Sequence, residues 1–412
     1  MSCSRIERCR LCGGSDFDEI IDLGEQANSS MFPQQDEPDP PKYPLILDRC
    51  QTCGLVQLRH SVDPSLLYTH SYGYRSGINQ TMSNHLGELV GEIEKIVRFS
   101  NNPIVLDIGC NDGTTLRAYR TPGLTCIGID PIAEHFNEYF PEEFLIREDY
   151  FSAECYEKVT SGKKADVISS IAVFYDLEQP NDFVADIATC LAPEGIWVLE
   201  QSYLPTMLNM TSFDTVCHEH LEYYCLEQIR YMADTNGLRI FKAELNNANG
   251  GSIRVFVCHK NATYIPIDNS VAKLLEWESA SGFDGLGVFY GFGDRTHKII
   301  DQLTEFISHA TETGKTVYGY GASTKGNVIL QSCGLNHRSI VAMADRNPEK
   351  WGRFTPGTRI PIISEKQARL MEPDYFLVLP WHFRQEFMER EIEFLARGGQ
   401  FIFPLPILEI TS

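Results

Sequence analysis

The stretch Ile104-Val-Leu-Asp-Ile-Gly-Cys-Asn-Asp-Gly113 decides how this chain is read. An apolar run of strand length ends in Asp107 and enters Gly109-x-x-x-Gly113, two glycines that let the backbone fold tightly beneath a ligand. The following residues, Thr114-Thr-Leu-Arg-Ala-Tyr119, start a helix, and helix N-termini are electropositive. This is the usual opening of an S-adenosylmethionine site, and a zwitterionic amino-acid ligand suits it. One glycine fewer than G-x-G-x-x-G favours S-adenosylmethionine over NAD. Asp107, Gly109, Asn111 and Gly113 are the candidate cofactor residues here. A second strand, Thr125-Cys-Ile-Gly-Ile-Asp130, ends in an acid about twenty residues later, where nucleotide-binding βαβ units place a carboxylate on ribose hydroxyls. Asp130 takes that role.

Outward from this motif, apolar residues at helical spacing (Met82, Leu86, Leu89, Val90, Ile93, Ile96, Val97) predict a helix from Asn79 to Arg98. Strands are predicted at Asp166–Ser170 and Gly195–Glu200, with Leu191-Ala-Pro-Glu-Gly195 as a turn between helix and strand. Strands alternating with helices mean an α/β, doubly wound parallel sheet. Ligands bind beyond the carboxyl ends of such strands, which adds Ala172, Val173 and Glu200 as rim positions, Ala172 among the candidate cofactor contacts.

At 412 residues the chain exceeds the size of a single core, so two or three domains are expected. No apolar run is long enough to span a bilayer, and Met1-Ser-Cys-Ser-Arg-Ile-Glu-Arg lacks the core of a signal peptide. The expected location is the cytoplasm, with no membrane partner. The net charge of −21 and the absence of a basic tract exclude nucleic acid as a partner. Thirteen cysteines, an odd number in a reducing compartment, point to metal ligation rather than a disulfide scaffold.

Cys9-Arg-Leu-Cys12 and Cys50-Gln-Thr-Cys53 are two C-x-x-C knuckles, each followed by glycine. Two intervening residues let both thiolates of a knuckle face one tetrahedral ion, and four thiolates suit structural Zn2+. Such a closed site leaves no open position, so this zinc is expected to hold a small ribbon-like unit together and to do no chemistry. Phe32 to Pro44 carries five prolines and must be an extended loop. Strands are expected at Tyr43–Asp48 and Gly54–Leu58, flanking the second knuckle.

The third segment opens with a strand at Arg254–Cys258 and a long helical run from Asn269 to Glu312. It continues with Thr316-Val-Tyr-Gly-Tyr-Gly-Ala-Ser-Thr-Lys-Gly326, a second strand entering a glycine turn, and a strand at Ile340–Asp345. Gly319 and Gly321 would bring N–H groups onto a diphosphate, with Lys325 adding charge; a glycine turn packed on its own sheet is the alternative. Strands at Tyr375–Leu379 and Gly399–Phe403 complete the sheet. The expected domains are 1–75 (zinc), 76–240 (S-adenosylmethionine) and 241–412 (Rossmann-like).

The most polar cluster is Ser212-Phe-Asp-Thr-Val-Cys-His-Glu-His-Leu-Glu-Tyr-Tyr224. Histidine is a residue able to titrate near neutrality, so the cluster suits acid–base work. A second metal site from Cys217, His218 and His220, or structurally bonded histidines, are the alternatives. Tyr72-Gly-Tyr-Arg-Ser-Gly77 and Asn246-Asn-Ala-Asn-Gly-Gly-Ser-Ile-Arg254 are polar loops able to line an acceptor pocket.

Taken in order, the paired C-x-x-C, Tyr72-Gly-Tyr-Arg-Ser-Gly77, the Asp107 motif, His218-Glu-His-Leu-Glu-Tyr-Tyr224, Asn249-Gly-Gly-Ser252, Gly319-Tyr-Gly-Ala-Ser-Thr-Lys-Gly-Asn327, Pro356-Gly-Thr358 and Pro380-Trp-His-Phe383 resemble the nucleotide-sugar C-methyltransferases that methylate C3 of dTDP-4-keto-deoxysugars. The resemblance runs nearly the whole length. It implies a zinc-bearing N-terminal domain, a central S-adenosylmethionine domain and a C-terminal Rossmann-like domain that helps hold the nucleotide sugar; the expected state is a monomer or small homo-oligomer. It puts His220 in the role of base, Glu219 beside it, and Tyr72 or Tyr74 as donor to the sugar, with Asn249, Gly321, Lys325, Asn327 and Trp381 as substrate contacts. The chain departs from the family pattern at Cys217, where tyrosine is usual, at Ala172–Leu177, which lacks a histidine, and at His382, where asparagine is usual. An O- or N-methyltransferase, an NAD-dependent sugar-nucleotide oxidoreductase and a nonenzymatic zinc-ribbon adaptor are the competing readings.

Overall fold

The computed structural model describes residues 2–67, 74–263, 265, 268–283 and 285–411. The N-terminal strands are β1 (Cys3–Arg5), β2 (Phe17–Ala27), β3 (Lys42–Cys50), β4 (Val56–Leu58) and β5 (His60–Val62). Antiparallel β2, β3 and β4 form most of one sheet, and β1 pairs with β5. The proline-rich stretch between β2 and β3 is not helical, as a chain lacking so many N–H donors requires.

The central strands are β6 (Ile104–Ile108), β7 (Thr125–Ile129), β8 (Leu145–Arg147), β9 (Ala165–Ile171) and β10 (Leu191–Ser202). All five residues of β6 are buried, the mark of a strand covered on both faces. The expected turn at Leu191–Gly195 is instead the start of β10, joined to it through a register irregularity against β9. Next in the chain, β11 (Glu222–Tyr223) leaves this sheet and pairs with β4, so the zinc unit's sheet has the order β11-β4-β3-β2. Strands β12 (Leu238–Asn246) and β13 (Ser252–His259) return, giving a seven-stranded sheet of order β12-β13-β10-β9-β6-β7-β8.

Three expectations are corrected here. The boundary at 240/241 falls inside β12, and the Arg254–Cys258 strand belongs to the central sheet, antiparallel to β10. The connection from β12 to β13 is too short for a parallel crossover, so the chain can only turn back on itself. The helix Gln80–Ile96 is capped by Asn79, whose side chain accepts from the Thr81 N–H, and buries Leu86, Leu89, Val90 and Ile93 on one face of this sheet. The single helical run expected from Asn269 to Glu312 is two helices, Asn269–Ala280 and Gly287–Glu312, parted by a segment containing Gly282 and Gly285.

The last strands are β14 (Val317–Tyr320), β15 (Met343–Asp345), β16 (Ile362–Ser364), β17 (Tyr375–Val378), β18 (Gln400–Phe403) and β19 (Glu409–Thr411), ordered β16-β15-β14-β17-β18-β19 with β19 antiparallel. One apolar core runs from this sheet through Phe289 and Phe292 into Ile20, Leu45, Leu47 and Val56 of the zinc unit, and includes Phe213, Val216 and Cys217. The polar His-Glu-His segment is thereby clamped between the N-terminal and C-terminal sheets. Among the described residues no helix is long and apolar enough to cross a membrane.

Candidate active site

At the end of β6, Gly109 has φ +66°, and a Cβ there would lie 2.4 Å from Val173 Cγ2. No side chain fits where the end of β9 passes this turn. Asp107 is buried and accepts from Ser169 Oγ at 2.6 Å, and burial pushes its carboxyl up to about 7. Asp130 accepts the Asn111 N–H on one oxygen and the Ile132 N–H on the other, both at 2.9 Å, so each oxygen keeps a lone pair. Ala172 has φ +57°, held by its N–H donating to the Glu200 carbonyl at 2.7 Å. Gly113 caps the following helix at φ +74°. An acid for an ammonium and a second acid with two open acceptor positions for a diol are what S-adenosylmethionine requires.

Asn111 does something other than expected with its side chain. Its Oδ1 accepts the Ser76 N–H at 3.0 Å and its Nδ2 donates to the Tyr74 carbonyl at 3.2 Å, while Asp112 accepts the Gly77 N–H at 3.0 Å. Both ends of this amide tie segment 74–77 down onto the glycine turn. Tyr74 is exposed, and Tyr72 lies outside the described residues.

After a short 3-10 turn, Phe213–Thr215, the chain makes a second turn at His218 and Glu219. His218 is buried and donates through Nε2 to the Tyr43 carbonyl at 3.2 Å, its ring against that of Tyr43. It is a bonded histidine that anchors the segment to β3. His220 bonds the Thr215 carbonyl through Nδ1 at 2.8 Å. A carbonyl can only accept, so Nδ1 carries the proton and Nε2 presents a lone pair. Burial lowers the His220 pKa to about 4, which keeps the ring neutral near pH 7. Its ring packs 4.2 Å from the centre of the Tyr175 ring, and the Tyr175 carbonyl accepts the Leu221 N–H at 2.7 Å. Glu219 is buried, its carboxylate against the Cys217 thiol and otherwise without a hydrogen-bond partner. Among the described residues, Cys217, His218 and His220 form no metal-ligating group.

The C-terminal domain completes the cluster. Lys325 donates to the Asn249 carbonyl at 2.7 Å and faces Asp214 and Cys217. Trp381 donates through Nε1 to Asp214 Oδ2 at 2.9 Å, and its ring edge would lie 3.5 Å from a Cβ on Gly250. His382 also faces Lys325, and burial first, then that cation, bring its pKa to about 3. The glycine turn after β14 departs from expectation. The Gly319 and Gly321 N–H groups donate to the Ala342 and Ala344 carbonyls at 2.9 and 2.8 Å, so neither is available to a diphosphate. Gly321 is required for a different reason: φ is +85° and a Cβ would meet Pro380 at 2.6 Å. Asn327, fully buried, donates to the Ser29 carbonyl at 2.6 Å and docks the zinc unit.

Sequence reasoning gave no role to four residues of this region. Gln201, one residue beyond the rim position Glu200, is buried with neither end of its amide bonded. Glu200 itself points to the other face, bonded to His85 at 2.5 Å and Arg254 at 2.8 Å. Side-chain alternation along β10 was the available signal. Asp214 and His382 lie inside quoted motifs but had no role of their own, and Lys350, whose Nζ donates to the Ala322 carbonyl at 2.7 Å, carries no local motif.

The four knuckle sulfurs lie within 4.8 Å of one another, with Cys9–Cys53 at 3.6 Å and Cys12–Cys50 at 3.5 Å. Tetrahedral ligation at about 2.3 Å places sulfurs roughly 3.8 Å apart, whereas a disulfide would need about 2 Å. Gln57 Nε2 and the Gly14 N–H donate to Cys9 and Cys12 sulfur at 3.2 and 3.4 Å, as sulfurs bearing thiolate charge require. The donor set fits zinc.

Family models match a zinc-binding domain at residues 9–68, a methyltransferase domain at 82–243 and a C-methyltransferase C-terminal domain at 247–406. The C-methyltransferase NovU of Streptomyces niveus is 31% identical over 413 residues, covering 99% of this chain and 97% of that protein. The chain belongs to the C-methyltransferase family. It is an S-adenosylmethionine-dependent methyltransferase with a zinc-binding N-terminal unit. Similar solved structures include the magnesium protoporphyrin IX methyltransferase of Synechocystis (14% identity, 43% of this chain and 79% of that one, TM-score 0.33). An O-methyltransferase family protein of Burkholderia thailandensis is also similar (16% identity, 44% and 56%, TM-score 0.34). At these scores the likeness carries no argument about function.

Proposed function

We propose that this C-methyltransferase acts on a nucleotide-linked 4-keto-deoxysugar, taking a proton from the carbon beside the ketone, C3, with His220 as base. The observation that carries this reading is His220 itself: its Nδ1–H is fixed on the Thr215 carbonyl, its Nε2 is left basic, and burial keeps it unprotonated. A hydrogen next to a ketone is acidic enough for such a base, and a positioned base contributes about 10²–10⁴ in rate. The buried oxygens of Glu219 and Asp214 and the amide of Gln201 are acceptors and donors that a hydroxyl-rich acceptor would satisfy. Tyr175, against the His220 ring, stands where the family histidine is missing. The nucleotide half falls to the C-terminal domain, with Lys350 beside the turn at Ala322 as the diphosphate's cation. S-adenosylmethionine supplies an electrophilic methyl group; Asp107 holds its ammonium and Asp130 its ribose.

The test is incubation with methyl-deuterated S-adenosylmethionine and a panel of nucleoside-diphosphate 4-keto-6-deoxysugars, with products resolved by mass and carbon NMR. The expected label sits on a quaternary sugar carbon. Label on oxygen or nitrogen would sink the enolate route.

The Asp107 assignment predicts a pH dependence of cofactor binding. Its carboxyl titrates at about 7 because burial disfavours the charge, and an ammonium needs that charge. Below pH 7 binding must first displace a proton, so affinity should fall toward tenfold per pH unit. Calorimetric titration from pH 6 to 8 should show affinity rising with pH and then levelling; equal affinity throughout would refute the assignment.

A further inference from the structure

Lys325 comes from the first turn of the helix Thr324–Ser332 in the C-terminal domain, yet its ammonium sits among central-domain groups. Its hydrogen bond runs to a neutral acceptor, the Asn249 carbonyl at 2.7 Å, and among the described residues no carboxylate lies within the 4.0 Å that defines an ion pair. A partly enclosed cation bonded to a neutral carbonyl calls for an anion. The groups facing it are Asp214, Cys217, His220 and His382, with Glu219 and Tyr175 around the same imidazole. Two anions are available in the proposed reaction, a diphosphate and an enolate oxygen. Placement decides between them: Lys350 already serves the glycine turn, whereas the helix bearing Lys325 packs on the Phe213–Thr215 turn, whose Thr215 carbonyl holds His220. The oxygen of a ketone is two bonds from the carbon that loses its proton, so its cation must lie near His220.

Resting on the keto-sugar reading above, we infer that Lys325 is a catalytic residue that holds the acceptor's ketone oxygen and stabilises it as the enolate. His220 Nε2 takes the proton, the C–H pair becomes a C=C bond, and the carbonyl π pair moves onto the oxygen facing Lys325. The enolate carbon then forms its bond to the methyl group, the methyl–sulfur bond breaks with its pair on sulfur, and the C=O bond re-forms. Lys325 acts also on the base itself: its positive charge disfavours protonation of His220, keeping the imidazole available.

The experiment is deuterium wash-in at C3 of a dTDP-4-keto-6-deoxysugar in D2O, with S-adenosylhomocysteine added and no methyl donor, so that enolisation is read without methyl transfer. Lys325→Gln, which keeps a polar donor without the charge, and Lys325→Met should each slow exchange by about 10²-fold, the cost of one lost oxyanion donor. The acid limb of the exchange-rate profile should move to higher pH, because a cation beside the base is gone. Affinity for thymidine diphosphate should change less than about threefold, and S-adenosylmethionine binding reports that each variant is folded. Wild-type exchange rates in either folded variant would overturn the inference, as would a tenfold or greater loss of thymidine diphosphate affinity with exchange intact, which would make Lys325 a phosphate ligand. A wild-type enzyme that neither exchanges nor methylates any keto sugar would instead overturn the substrate reading, and this inference with it.

Discussion

His220→Gln lowers methyl transfer by about a thousandfold while leaving S-adenosylmethionine affinity close to wild type; this is the largest kinetic effect expected of a single substitution. The magnitude is that of a lost general base. Glutamine can donate an amide N–H to the Thr215 carbonyl, as Nδ1 does at 2.8 Å, so the turn at His218 and Glu219 should survive. What it cannot supply is a basic nitrogen against the Tyr175 ring. Cofactor affinity should be spared because Asp107 and Asp130 belong to the carboxyl ends of β6 and β7, and His220 belongs to the segment clamped by the zinc unit. Calorimetry for binding and single-turnover kinetics for transfer separate the two. A variant that keeps more than a tenth of the wild-type rate, or one that loses cofactor affinity along with activity, refutes the assignment.

Removing zinc is expected to abolish activity and to unfold the N-terminal unit. A structural four-thiolate site contributes on the order of 10 kcal/mol to folding, more than a small unit's own core supplies. The consequence reaches the active site because β11, immediately after His220, is a strand of the zinc unit's sheet: Glu222 and Tyr223 pair with Gln57 and Val56, and the Leu58 N–H donates to the Leu221 carbonyl at 2.9 Å. Arg10, between Cys9 and Cys12, reaches Glu178, Ser61 and the Leu58 carbonyl, and its guanidinium lies 3.7 Å from Glu222. Metal loss therefore releases the strand that follows His220. Chelation, or Cys9→Ser, should lower the melting temperature by more than about 10 °C and remove turnover. A zinc-free protein with native melting behaviour and full activity would contradict the structural role.

The parts of this protein legible without tertiary information are those encoded over a few consecutive residues. An apolar strand ending in Asp107, the glycines after it and the acid closing the next strand define a nucleotide-type turn, because strand burial, backbone freedom and helix-end electrostatics are all local. The same holds for the two C-x-x-C knuckles, whose spacing alone aims both sulfurs at one point. The His-Glu-His segment could be singled out as chemical but not apportioned, because the roles of its two imidazoles depend on the carbonyls of Tyr43 and Thr215. The protein partners of the Asn111 amide and the Gly321 N–H lie in other segments, so the sequence could not show them.

Sequence by itself determined the α/β class, the glycine turn after β6 and the metal-ligand set, since each follows from hydrogen-bonding and side-chain direction within one element. Only the tertiary structure decided that β11 joins the zinc unit, that β13 runs antiparallel within the central sheet, and that Lys325 meets Asn249 and Trp381 meets Asp214. Those pairings join residues 76 and 167 positions apart in the last two cases. No periodicity or motif spans such a separation. They are fixed by one shared apolar core that packs the first and last sheets around the segment bearing His220.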